Sequence, residues 1–190
     1  MMDEDLPSIS SDLPEPIDDG ATDHLLGLKF PDIKLVASNG RLIDVSNSPR
    51  RTVIYVYPRT GVPDEGVFYE GWKAIPGASG CTPQSCSFRD HYQELQDLGV
   101  DLFGLSTQDS KFQQEAVERL HLPFAMLSDE KLELTEALNL PTFEVNGMTL
   151  IKRLTLVVQG SEIEQVFYPV FPPGAHAEVV VKWLKGHLSR

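Results

Sequence analysis

Apolar positions fall into short runs whose period changes along the chain. The run Thr52-Val53-Ile54-Tyr55-Val56-Tyr57 is almost entirely β-branched or aromatic, as expected of a strand buried on both faces. Pro58 ends it. After Gly80 the period becomes helical: Phe88, Tyr92, Leu95 and Leu98 recur at spacings of three and four, and Gly99 supplies a C-terminal stop. Pro83 is tolerated only in a first turn, which places the helix start near Cys81 or Thr82. Residues 100–106 then read as a second buried strand, 110–120 as a helix with Phe112, Ala116, Val117 and Leu120 inward, 124–127 as a third strand and 132–138 as a short helix. Alternating strand and helix predicts parallel pairing with right-handed crossovers.

The pattern then changes. Residues 150–158 and 162–168, separated by Gln159-Gly160, predict an antiparallel hairpin, and residues 175–188 a final helix packing Val180, Val181, Trp183 and Leu184. Ahead of the central strand, 33–36 and 42–45 flank the turn signal Asn39-Gly40. A βαβ half joined to a ββα half, with a cysteine where the first helix starts, is an α/β thioredoxin-like architecture: a central mixed sheet flanked by helices, with extra N-terminal strands.

Two segments lack either period. Residues 1–24 are acidic and rich in Pro and Ser, with little apolar surface, and are expected to form a mobile or loosely docked extension to a domain at 25–190. Residues 59–80 carry Gly61, Pro63, Gly66, Gly71, Pro76, Gly77 and Gly80, which predicts a long loop; ordered loops of that length are often functional.

Composition narrows the partners. The formal net charge is −12, and eight acidic side chains without a Lys or Arg lie within residues 1–23, leaving −4 for the remainder. Neither nucleic acid nor an anionic membrane surface suits such a chain. No apolar run approaches the roughly 18 residues of a membrane span, and a basic-then-apolar leader pattern is absent, so a cytoplasmic location is expected. Two cysteines in an intracellular chain of this size point to reactivity more than to a structural staple. The five histidines are scattered without metal-site spacing, and no Gly-rich phosphate loop occurs, so no metal or cofactor is expected.

Chemistry concentrates in Gly80-Cys81-Thr82-Pro83-Gln84-Ser85-Cys86. A helix N-terminus offers unpaired N–H groups and partial positive charge, both favouring a thiolate at Cys81. An oxidant attacked by that thiolate leaves a sulfenic acid, which a second thiol can trap as a disulfide. In an intact helix the Cα atoms of Cys81 and Cys86 would lie about 8.6 Å apart, beyond the ~7 Å limit for a disulfide, so the segment must unwind for that bond to form. The plain alternative for Cys86 is a buried small apolar residue. A thiol–disulfide oxidoreductase would normally use Cys-x-x-Cys spacing, which these positions do not have.

The runs 53–58, Gly80-Cys81-Thr82 with Cys86, Phe88-Arg89-Asp90, Gly104-Leu105-Ser106-Thr107 and Leu127-Ser128-Asp129 resemble the peroxiredoxin Q group, also called bacterioferritin comigratory proteins, from about residue 25 onward. The resemblance implies a thiol peroxidase with Cys81 peroxidatic and Cys86 resolving, re-reduced by thioredoxin or a similar dithiol, acting as a monomer or weak homodimer. It also implies an active-site arginine, for which Arg153 matches the expected strand. An unpaired cation among such apolar neighbours would be costly, which favours Arg153 over Arg89 and Arg59. The group is expected to carry Pro, then Thr or Ser four residues later, then the cysteine three residues after that. Here those offsets give Ala74 and Ala78, so the hydroxyl must be Thr60 just past the strand, Ser79 beside Cys81, or Thr82. A peroxide-responsive sensor using the same disulfide is the alternative function.

Overall fold

The computed structural model describes residues 12–66 and 68–188. Its frame is β3 (Thr52–Val56), buried at all five positions as its composition requires. β3 pairs in parallel with β4 (Asp101–Ser106) and antiparallel with β8 (Leu154–Gln159). Outward from these lie β5 (Met126–Ser128), β1 (Lys34–Ala37) and β2 (Leu42–Asp44) on one side and β9 (Glu162–Phe167) on the other, in the order β2-β1-β5-β4-β3-β8-β9. This is the expected thioredoxin-like mixed sheet with added N-terminal strands, and Gly40 turns the β1–β2 hairpin at φ +82°.

Strand alternation gives two cores. Val53, Tyr55 and Tyr57 face Phe88 of α1 (Cys81–Asp90), Leu95 of α2 (Tyr92–Asp97), Ala116 of α3 (Ser110–Arg119) and Val180, Val181 and Leu184 of α5 (His176–Leu188). Ile54, Val56 and Leu156 face the other way, onto Leu25, Phe30 and Leu134 of α4 (Glu133–Ala137).

Three local expectations are corrected. The single helix predicted from residue 81 to 98 breaks at His91, whose ring bonds the Ser87 carbonyl at 2.8 Å and whose backbone leaves helical geometry. The third strand lies at β5, two residues later than predicted. The apolar run 150–158 is also not one strand. Its first residues end β7 (Met148–Ile151), which pairs with β6 (Thr142–Val145) in a separate hairpin. The Lys152 N–H donates to the Pro141 carbonyl, closing that hairpin, and the chain crosses to the main sheet at Arg153. Arg153 therefore stands at a strand junction and not inside a strand.

The segment 59–80 contains two 3-10 turns, Pro63–Glu65 and Trp72–Ala74. Aromatic contacts dock it: Trp72 lies edge-on to Phe68 and tilted against Phe143 of β6, while the Arg59 guanidinium sits 4.2 Å from the Phe68 ring centre. Of the N-terminal extension, residues 1–11 lie outside the described residues. Residues 12–24 rest on the domain, with Asp19 bonded to Lys152 at 2.9 Å and to the Tyr168 hydroxyl at 2.8 Å. His24 Nε2 lies 2.8 Å from the Leu138 carbonyl.

Candidate active site

The helix α1 starts where the sequence requires it to start. Its N-cap Gly80 has φ +106°, and a Cβ there would lie 2.3 Å from Cγ of Pro173, in the 3-10 turn leading into α5. Only glycine combines that backbone conformation with so close an approach. The Gln84 N–H closes the first turn onto the Gly80 carbonyl at 3.0 Å. Cys81 and Cys86 are both buried, free thiols on this intact helix. Desolvation pushes the Cys86 thiol up, with the Arg89 charge the largest opposing influence.

Arg153 converges on the same turn. It is 3% exposed, and its Nη2 lies 3.2 Å from Cys81 Sγ. The same Nη2 donates to the carbonyls of Ala78 (3.0 Å) and Ser79 (3.2 Å), Nε donates to that of Gly77 (3.3 Å), and Nη1 donates to Gln84 Oε1. One buried cation thus ties the end of the 59–80 loop to the first turn of α1 and presents a charged donor to the sulfur. The Cys81 thiol itself points to the Ala78 carbonyl at 3.7 Å.

The three candidate hydroxyls are placed differently. Thr60 is buried, and both its N–H and its Oγ1 donate to Gln108 Oε1, at 3.0 and 3.1 Å. Ser79 Oγ is buried with no hydrogen-bond partner. Thr82 sits half-buried in the first turn of α1. Arg89 serves the scaffold, donating to Asp90 and to the Leu120 carbonyl.

Residues that the sequence did not single out complete the surroundings. Gln84 is fully buried, holds Arg153 through Oε1, and leaves Nε2 unpartnered. Its spacing of three from Cys81 sets it on the same helix face, a signal that was available. Tyr55 donates to Ser85 Oγ at 3.0 Å and stacks on Phe88 at 4.5 Å, pinning α1 to the sheet. Gly104 makes room for it, since a Cβ there would meet the Tyr55 ring at 2.9 Å. His176 shares a 2.8 Å bond with Thr155 and packs edge-on to Phe88 and Phe167. Burial, reinforced by the Arg153 charge, lowers its pKa to about 4. At neutral pH it is therefore uncharged. Among the described residues no three His, Cys, Asp or Glu side chains are grouped to hold a metal.

These features match known proteins. The Redoxin family model matches residues 25–181. The chain is 29% identical over 161 residues to the chloroplastic peroxiredoxin Q of Oryza sativa subsp. japonica, covering 84% of this chain and 66% of that one. To peroxiredoxin Bcp of Escherichia coli strain K12 it is 28% identical over 162 residues, covering 83% and 93%. The crystal structure of peroxidoxin BcpB from Mycobacterium tuberculosis superposes with a TM-score of 0.70 at 22% identity, covering 86% and 97%, which shows the shared fold. With the family model spanning the whole sheet, both cysteines and Arg153, the chain belongs to the redoxin family, as a peroxiredoxin of the Q/Bcp type.

Proposed function

We propose that the domain spanning residues 25–190 is a thiol-dependent peroxidase reducing hydrogen peroxide or an organic hydroperoxide, with residues 1–24 as an appended segment. The observation that carries this function is the buried Arg153 guanidinium 3.2 Å from Cys81 Sγ, anchored from behind by Gln84. The Cys81 thiolate attacks the terminal peroxide oxygen, the O–O bond breaks, and the departing oxygen takes up a proton to leave as water or an alcohol. Arg153 donates toward the charge that moves from sulfur to oxygen in that step. Cys81 is left as a sulfenic acid. The Cys86 thiolate then attacks that sulfur, hydroxide leaves and is protonated to water, and an intramolecular disulfide remains. Thioredoxin or a similar dithiol returns both thiols by exchange.

For the hydroxyl facing the peroxide we assign Ser79. Its Oγ is buried without a partner next to the Cys81 turn, whereas the Thr60 hydroxyl is engaged with Gln108. The test is peroxide-dependent turnover with a dithiol reductant for wild type, Cys81→Ser and Cys86→Ser. Turnover is expected to vanish in Cys81→Ser, and in Cys86→Ser to stop after one equivalent of peroxide. Retained activity in Cys81→Ser overturns the assignment, and stoichiometric oxidation of wild type without turnover makes the chain a sensor instead.

A further inference from the structure

The second half of α1 carries a charge that the attack on peroxide does not use. Arg89 follows Cys86 by three residues, which makes the two neighbours on the helix surface. Its Nη1 donates to the Leu120 carbonyl at 2.8 Å and its Nε to Asp90 at 3.0 Å. Leu120 caps the C-terminal end of α3, and the residue before it is Arg119, whose guanidinium pairs with Glu115 at 2.6 Å and donates to the Gly61 carbonyl at 3.0 Å. Cys86 and Leu120 share one buried cluster, so two anchored cations border the core that encloses the resolving sulfur. Both favour the Cys86 thiolate, against burial and the Asp90 carboxylate. Tyr55, the titratable group nearest it from the sheet, is kept neutral by burial.

A cation bonded to the last carbonyl of α3 is by itself a helix cap. What goes beyond a cap is where the anchors lie. Disulfide formation unwinds residues 81–86, but Asp90, Glu115, Leu120 and Gly61 are all outside that segment, so neither guanidinium loses its holder. Nor can Cys86 move far from Arg89: three residues, even fully extended, span at most about 11 Å, close to one Debye length in dilute salt. Opening therefore strips away the burial that opposes ionisation and leaves the cations where they were. We propose that Arg89, seconded by Arg119, is a positioning residue for the resolving step, a fixed electropositive seat that holds Cys86 as the attacking thiolate once α1 opens. This assignment rests on the peroxidase function above and names what readies its second cysteine; the bond changes are those already given for the disulfide.

The experiment measures disulfide closure in a single turnover, by acid quench and mass spectrometry after one equivalent of hydrogen peroxide, from pH 6 to 10.5. It is repeated from a mixed disulfide of Cys81 with thionitrobenzoate, from which Cys86 expels the coloured thiolate without any peroxide. Each tenfold loss of thiolate brings an about threefold gain in intrinsic nucleophilicity, so Arg89→Gln is expected to close about threefold more slowly at pH 7 and about threefold faster where the thiol is fully ionised. Arg89→Lys keeps the charge and should stay near wild type, and Arg119→Gln should show the same crossing with a smaller amplitude. A purely structural role slows closure by one factor at every pH. That result, an unchanged profile, or a lysine variant that behaves as the glutamine one overturns the assignment; should Arg89→Gln fail to fold, Arg119→Gln decides alone. A crossing profile in the thionitrobenzoate reaction of a protein that peroxide does not oxidise would instead overturn the peroxidase function and leave the seat for Cys86 standing.

Discussion

Oxidation must dismantle the helix that carries both cysteines. With α1 intact from Cys81 to Asp90, helix geometry sets the two Cα atoms about 8.6 Å apart, whereas a disulfide tolerates at most ~6.8 Å. Bringing them together pulls residues 81–86 out of helical geometry and breaks three bonds there: the Gln84 N–H to the Gly80 carbonyl, Tyr55 to Ser85, and Arg153 to Gln84. At about 1 kcal/mol for each neutral bond and about 2 for the charge-assisted one, the loss is about 4 kcal/mol. At 30 mV per 1.4 kcal/mol this raises the reduction potential by roughly 85 mV, from the −300 mV or so of a structural disulfide to above about −220 mV. The opening also removes the desolvation that pushes the Cys86 thiol up, so the motion that gives reach also eases its ionisation. Hydrogen exchange of the reduced and oxidised protein measures the helix, and titration against dithiol buffers measures the potential. Amides of residues 81–90 as protected after oxidation as before, or a potential at or below about −300 mV, would show that the disulfide forms without unwinding α1. Cys86→Ser treated with peroxide should keep the helix protected.

Arg153→Met should lower kcat/KM for peroxide by about 10²–10³-fold, the usual effect of removing one transition-state donor. Arg153→Lys should restore little, since one ammonium cannot span Gly77, Gln84 and Cys81 together; steady-state peroxide consumption decides both. Gly80→Ala should destabilise the fold by about 2–4 kcal/mol, combining left-handed backbone strain with the clash on Pro173, and urea unfolding reads the loss. The depressed pKa of His176 makes the unfolded chain bind one more proton than the native state between about pH 4 and 6.5. Its contribution is therefore fully present above pH 6.5 and lost as pH falls toward 4, by about 3 kcal/mol in all. Urea midpoints across that window should fall less steeply for His176→Gln than for wild type; equal slopes would show that His176 does not titrate there.

What the sequence disclosed depended on how local the signal was. β3 and the start of α1 declare themselves because their signals are confined to a few neighbouring residues, an unbroken run of β-branched and aromatic side chains in one and Gly80 with Pro83 in the first turn of the other. The β6–β7 hairpin carries an equally local signal, Asn146-Gly147 between two four-residue strands. It was masked because residues 150–158 are so uniformly apolar that the change of sheet at Lys152-Arg153 leaves no mark on the pattern. The same masking set Arg153 inside a strand, whereas it lies between β7 and β8. A buried guanidinium needs partners whether it lies within a strand or between two, and five acceptors from Gly77 to Gln84 provide them.

The extension shows the opposite case. Its acidic, Pro-rich composition gives no period, and nothing within residues 12–24 says where Asp19 should go. Its partners, Lys152 and Tyr168, lie 133 and 149 positions away, brought together only because β7 ends and β9 runs out at one side of the active-site loop. Lys152 and Asp19 are 38% and 45% exposed, so their ion pair is screened and holds the segment only weakly. More of its placement comes from Pro16 against Gly77, an apolar contact that requires the glycine. Gly77 is thus constrained on both sides, by Pro16 outside and through its carbonyl by Arg153 inside. A side chain there would press on Pro16 and displace the carbonyl that Arg153 holds, so the seating of the extension and the position of the guanidinium beside Cys81 depend on one glycine.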